Sequence, residues 1–306
     1  MKSVIQSILA IIILSACSAG LSLKNSSSLV QVNAPAGNFL GEGEENFYVF
    51  KGIPYAQPPV GDLRWKAPKN LSAKDEVIDA TKFKSECIQP GTEGLIPNRN
   101  VSVGSEDCLY LNIYIPKNQT DLDKNQFPVM FWIHGGSNIW GSGDFYDFSK
   151  LATTQQVIVV TINYRLGLFG WFSSEHLRNT STGLDKSSNF GQLDLLKGLE
   201  WVQENISAFG GDKDNITIFG ESAGGHNVLT LLASPLSEGL FHKAISQSGY
   251  VSSYTQKFAE EESELSSKKI FAEETKFLVS DTEVADYLRS LSSEAVSYTH
   301  LRAHET

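Results

Sequence analysis

The sequence predicts an α/β fold with a mostly parallel central sheet and helices on both faces. Three observations predict it. Two continuous apolar runs, Pro128 to Ile133 and the β-branched Val157 to Tyr164, read as strands buried on both sides. Strand-like and helix-like segments alternate through the middle of the chain. The string Gly220-Glu221-Ser222-Ala223-Gly224-Gly225 lies between an apolar strand, Ile216 to Phe219, and a helix that starts at Ala223. That strand–turn–helix setting is what a nucleophile elbow needs, with a serine hydroxyl raised above the sheet on a tight turn.

The elements follow in order. Lys2 precedes the apolar run Val4 to Leu14, which is too short to span a bilayer, and small residues follow from Ser15 to Gly20. Residues 1–20 are therefore expected to be a signal peptide. Two outcomes stand open: cleavage near Ala19 for a secreted protein, or lipidation of Cys17, because Leu14-Ser15-Ala16-Cys17 resembles a bacterial lipobox. N-x-[ST] triplets begin at Asn25, Asn70, Asn100, Asn118, Asn179, Asn205 and Asn215, which favours a eukaryotic secretory protein without the anchor. Asn215 sits at a strand entry and is set aside as an acceptor.

Leu29 to Ala34 and Phe47 to Phe50 read as strands of a small N-terminal antiparallel sheet joined by a Gly/Glu turn. Gly52 to Trp65 contains Pro54, Pro58 and Pro59, so an ordered extended loop is expected there. Leu109 to Ile115 alternates as a strand does. Phe190 to Phe209 carries apolar residues at helical spacing and is stopped by Gly210-Gly211. Ala223 to Leu232 reads as a helix, Lys243 to Gln247 as the next strand, and Val284 to Leu291 as a helical patch in a polar segment. The last eleven residues, Val296 to Thr306, back-translate to a widely used sequencing adapter. They are excluded from the fold expectation together with His300 and His304, and the reading frame is expected to continue past residue 295.

Composition bounds the function. The chain has 306 residues, 41% of them hydrophobic and 20% charged, which suits a globular domain with a sizeable core. A formal net charge of -10 argues against nucleic acid as a partner. The chain has 3 cysteines; with Cys17 in the leader, Cys87 and Cys108 are left for one possible disulfide. No C-x-x-C pattern and no phosphate-binding glycine loop occurs, so neither a metal nor a cofactor is expected.

Several strings together resemble the type-B carboxylesterase/cholinesterase family of α/β-hydrolases. They are Gly52 to Trp65 (GIPYAQPPVGDLRW), Ser105 to Asn112 (SEDCLYLN), Trp132 to Gly136 (WIHGG), Asn163 to Gly167 (NYRLG), Ala208 to Asp212, the elbow itself, and Phe241 to Gly249. The resemblance covers about residue 29 to residue 295. It implies an α/β-hydrolase domain over 21–295 whose C-terminal part is missing from this chain. Ser222 would be the nucleophile. The backbone amides of Gly136, Ser137 and Ala223 would form the oxyanion hole; the family usually has a glycine where this chain has Ser137. Glu221 matches the acidic neighbour of the nucleophile in the substrate pocket. The resemblance also implies a Cys87–Cys108 disulfide and the structural ion pairs Arg64–Glu106 and Arg165–Asp194.

Cholinesterases resembling this chain hold a choline cation with a tryptophan between the first two disulfide cysteines. No Trp, Tyr or Phe lies between Cys87 and Cys108, so a general carboxylesterase acting on small-molecule or lipid esters is expected. In this fold the acid and the histidine follow the serine in chain order. None of the remaining histidines fits. His134 begins the His-Gly-Gly turn as a structural residue, His226 follows Ser222 by one helical turn, and His176 and His242 read as surface or core residues. The chain is thus expected to carry the nucleophile and the oxyanion hole without the base, and to be nearly inactive alone. The alternatives are a non-catalytic cholinesterase-like adhesion protein and a lipase of the same family. Oligomeric state is not legible.

Overall fold

The computed structural model describes residues 28–72, 74–93, 96–117, 126–263 and 266–302. The leader with Cys17, the acceptor candidates Asn25 and Asn118, and His304 lie outside these residues. The strands are β1 Ser28–Ala34, β2 Gly37–Gly43, β3 Phe47–Pro54, β4 Lys74–Asp79, β5 Gln89–Glu93, β6 Ile96–Val103, β7 Tyr110–Pro116, β8 Phe127–Ile133, β9 Ile158–Ile162, β10 Gly211–Glu221 and β11 Lys243–Gln247. The α-helices are α1 Ser149–Gln155, α2 Gly167–Gly170, α3 Glu175–Asn179, α4 Phe190–Asn205, α5 Ala223–Ala233, α6 Ser267–Ile270, α7 Ala272–Thr275, α8 Asp281–Ser290 and α9 Ser293–Arg302.

One nine-stranded sheet runs β1-β2-β3-β7-β9-β8-β10-β11, with β4 beside β2. Its functional half is parallel: β9 to β8, β8 to β10 and β10 to β11. From β1 through β7 to β9 the pairs are antiparallel. The expected N-terminal antiparallel strands are present and run on into the central sheet. The separate small sheet is β5–β6, in the loop that the disulfide closes.

Alternation within each strand sorts side chains to two sides of the sheet. Val49, Tyr114, Trp132, Val159 and Phe219 face Ala152 of α1. Ile113, Phe131, Ile133, Val160 and Ile218 join the main core with Leu195 and Leu199 of α4 and Val228 and Leu231 of α5. Helices therefore cover both faces, and β9 is buried along its whole length. β11 is the last strand of the order, and its side chains are mostly exposed.

β2 departs from expectation. Its glycines read as a turn, yet Gly37–Gly43 is a full strand. A Cβ on Gly41 would lie 2.6 Å from the Phe50 ring of β3, so the glycine makes room for a buried aromatic next door.

Three cross-links tie the long connections to this frame. Cys87 and Cys108 form a disulfide, worth about 3 kcal/mol in the chain-entropy model. Arg64 pairs with Glu106 through two bonds of 2.5 and 2.7 Å, and its remaining nitrogen donates to the Leu291 carbonyl at the end of α8. Arg165 grips Asp194 of α4 at 2.7 and 2.8 Å and also donates to the Lys66 carbonyl. Val296, in the tail excluded on sequence grounds, is buried within α9.

One acceptor candidate is corrected. Asn205 is buried at 1% exposure, its carboxamide taking Ala36 N–H at 2.7 Å and giving to the Trp201 carbonyl at 2.8 Å. No glycan fits there without unfolding the end of α4. Asn70 and Asn179 are exposed, although Asn179 donates to Asp281. Asn100 lies in β6.

Candidate active site

β10 leads directly into Ser222, which turns the chain into α5. The serine holds φ 55 and ψ -121, a conformation L-residues rarely adopt, costing on the order of 1–3 kcal/mol. Its surroundings impose it. Ser222 N–H donates to the Gln247 carbonyl at the end of β11 at 2.9 Å, and its own carbonyl accepts His226 N–H at 2.9 Å to open α5. α5 starts so close to β8 that a Cβ on Gly224 would sit 2.0 Å from the Ile133 carbonyl oxygen. The result is a half-buried serine that borders a cavity of about 720 Å³.

The opposite wall is the turn that leaves β8. Gly136, Ser137 and Asn138 all have positive φ, at 91, 57 and 58. For the two non-glycine residues this is left-handed strain, about 1 kcal/mol each. Asn138 offsets it. Its carboxamide oxygen accepts from Asn227 of α5 at 2.8 Å, and its carbonyl accepts Gly167 N–H at 2.7 Å. The Tyr164 hydroxyl donates to the His134 carbonyl at 2.6 Å, and Gln192 of α4 donates to the Asn227 carbonyl at 3.3 Å. The turn is thereby bonded to the segment after β9 and to α5, which is bonded in turn to α4. Among the described residues the amides of Gly136, Ser137 and Ala223 enter no hydrogen bond. Sequence reasoning missed Asn138, Tyr164, Gln192 and Asn227 as supports. The one local signal was an asparagine, a residue that tolerates left-handed backbone, two positions after a glycine turn.

His134 is buried beneath this turn. Its ring stacks on Tyr164, with centroids 4.3 Å apart, and Nδ1 donates to the Gly135 carbonyl at 2.9 Å. Nε2 is buried without a hydrogen-bond partner among the described residues. Burial pushes the imidazole down to about 4, so it is neutral at neutral pH. Below the ordinary 6.5 the unfolded chain takes up a proton that the folded chain refuses, until the folded group titrates near 4. Stability from this group is complete above pH 6.5 and falls by ~3 kcal/mol between 6.5 and 4. Urea denaturation at stepped pH is expected to show that slope, and His134→Gln is expected to lack it.

The other candidates fall in different places. The exposed Glu221 lies over Gly135, its carboxylate 3.2 Å from where a Cβ on that glycine would stand. His226 lines the cavity with Ser222, its ring 5.1 Å from that of Tyr250. His176 sits on α3, bonded to Asp281 at 2.7 Å, and borders a separate cavity with Lys268 and Phe271. His242 accepts Ile216 N–H at 3.1 Å, midway along β10. Among the described residues no side chain hydrogen-bonds the Ser222 hydroxyl, and no group of three or more His, Cys, Asp or Glu could hold a metal ion. Also among them, no helix is long and apolar enough to cross a membrane.

Comparison with known proteins matches residues 28–303 to a family model described as the carboxylesterase family. The para-nitrobenzyl esterase of Bacillus subtilis (strain 168) is 47% identical over 220 residues, covering 71% of this chain and 43% of that protein. Carboxylesterase 1E of Rattus norvegicus is 44% identical over 239 residues, covering 73% of this chain and 41% of that protein. Among solved structures, a thermophilic PNB esterase superposes with a TM-score of 0.75 at 39% identity, covering 90% of this chain and 54% of its own. A carboxylesterase of Geobacillus stearothermophilus superposes with a TM-score of 0.72 at 40% identity, covering 89% and 52%. The chain thus spans about half the length of these proteins or less.

Proposed function

The chain belongs to the carboxylesterase family, and on that premise we propose that Ser222 is the nucleophile of a carboxylic ester hydrolase. The observation that carries this is the strained Ser222 bordering the same cavity as Ser137 and Ala223, whose amides enter no hydrogen bond among the described residues.

In the proposed reaction Ser222 Oγ attacks the ester carbonyl carbon. A C–O bond forms, and the carbonyl π pair moves onto oxygen. The N–H groups of Gly136, Ser137 and Ala223 receive that oxyanion, one such donor typically being worth 10²–10³ in rate. Collapse expels the alcohol and leaves an acyl-serine, which water then hydrolyses. The serine proton must pass to a base and return to the leaving group. No imidazole is bonded to Ser222 among the described residues, so we infer that this chain alone acylates slowly.

The test is covalent. The purified chain is incubated with diisopropyl fluorophosphate, with and without added imidazole, and followed by intact mass and peptide mapping. A single slow adduct on Ser222 is expected. A positioned base contributes 10²–10⁴, and free imidazole should restore roughly tenfold of it. An adduct elsewhere, or none even with imidazole, would sink the assignment. Fast Ser222-dependent turnover of a nitrophenyl ester without imidazole would overturn the missing base. The disulfide supports export to an oxidising compartment, with Asn70 and Asn179 as exposed glycan acceptors and a lipid anchor at Cys17 as the alternative.

A further inference from the structure

The cavity beside Ser222 is unusual for an ester site. Small-molecule pockets are lined mostly by apolar side chains with a few placed polar groups. Here the apolar and aromatic lining residues are Trp171, Phe172, Tyr250, Tyr254, Ala223 and Ala259; the rest are hydroxyl, carboxamide or imidazole side chains, and none is Asp, Glu, Lys or Arg.

Several of those polar groups are already bonded within the protein. Ser173 and Ser188 share a bond at 2.8 Å, and Asn138 and Asn227 hold each other. Three are not. Asn189 stands at the start of α4, yet its side chain caps nothing. The Ser137 hydroxyl is exposed and makes no bond among the described residues. Neither nitrogen of His226 is hydrogen-bonded among the described residues; Nδ1 is shut away from solvent, which leaves Nε2 to meet the cavity.

Resting on the Ser222 reading, we infer that the ester bound in this cavity carries an uncharged hydroxyl near the ester group, recognised by His226. His226 is four residues on from Ser222, its amide bonded to the Ser222 carbonyl, and both side chains line the cavity, so a group held by the imidazole lies close to the reacting ester. A plain alkyl chain in the same place displaces water from His226, Ser137 and Asn189 and returns no hydrogen bond, which selects against it. The absence of charged groups selects against charged substituents, which would be desolvated without a partner.

The test uses the full chain with Ser222→Ala, which cannot acylate, so its outcome does not depend on whether Ser222 is the nucleophile. Binding of ethyl hexanoate, ethyl 3-hydroxyhexanoate and 2-hydroxyethyl hexanoate is measured by calorimetry. At least one hydroxylated ester is expected to bind roughly tenfold tighter than ethyl hexanoate, the gain of one good hydrogen bond; which one tells whether the hydroxyl lies on the acyl or the alcohol side. His226→Leu should erase the difference, and His226→Gln should keep part of it. The ¹⁵N resonance of the His226 ring should move with the favoured hydroxy ester and not with ethyl hexanoate, a readout that needs no second variant. Equal binding of all three esters, or a preference that survives in folded His226→Leu, overturns the inference.

Discussion

Replacing Asp194 with alanine is expected to destabilise the protein by about 3–5 kcal/mol, because it leaves a buried guanidinium without its counter-charge. Asp194 is fully buried in α4, and the Arg165 side chain opposite it is 3% exposed. The carboxylate takes Arg165 N–H at 3.0 Å as well as both guanidinium bonds, so one side chain satisfies backbone and side chain together. The same guanidinium reaches the Lys66 carbonyl at 2.9 Å and thereby ties α4, the turn after β9 and the loop after Trp65. Urea denaturation at pH 7 should show the loss with an unchanged m-value if the folded state survives. Asp214→Ala, which removes the exposed partner of Lys213, should stay within about 0.5 kcal/mol. A loss below ~1 kcal/mol for Asp194→Ala would falsify the view that this pair is structural.

Legibility in the sequence tracked how local each signal was. β8, β9 and β10 could be read because strands buried on both faces must be apolar along their length, and that pattern is contiguous. Ser222 could be read because the elbow's strain is resolved by glycines within two residues of it. β2 could not: its glycines look like a turn, and their reason is a Phe50 ring on another strand. The burial of Asn205 was hidden in the same way, since its partner Ala36 is 169 residues away. The bonds among Asn138, Tyr164, Gln192 and Asn227 join four separated segments, and no period or motif marks them. His226 shows the middle case. Its place four residues after Ser222 is legible, but only the structure reveals that its ring nitrogens have no hydrogen-bond partner among the described residues.

Gly224→Ala is expected to damage stability and chemistry together. The new Cβ would stand 2.0 Å from the Ile133 carbonyl oxygen, 2.7 Å from the His134 carbonyl oxygen and 2.9 Å from the Ile133 carbonyl carbon. All three neighbours are backbone, so no rotamer change relieves the clash. Relief needs the first turn of α5 to move away from β8 by about an ångström. Overpacking of a side-chain core costs typically 1–3 kcal/mol, and a backbone wall should put this variant at or above the top of that range. A similar displacement would carry Ala223 N–H and Ser222 away from the turn holding Gly136 and Ser137. Misplacing a reacting group by 1 Å typically costs about 10² in rate, so labelling of Ser222 by diisopropyl fluorophosphate should slow at least that much even where the variant still folds. Gly210→Ala is the contrast. Gly210, just before β10, has φ 82, but a Cβ there meets nothing within 4 Å. Its cost should be left-handed strain alone, about 1–2 kcal/mol, with labelling of Ser222 unchanged. If the two variants behave alike in the labelling assay, contact between α5 and β8 does not set the position of the nucleophile.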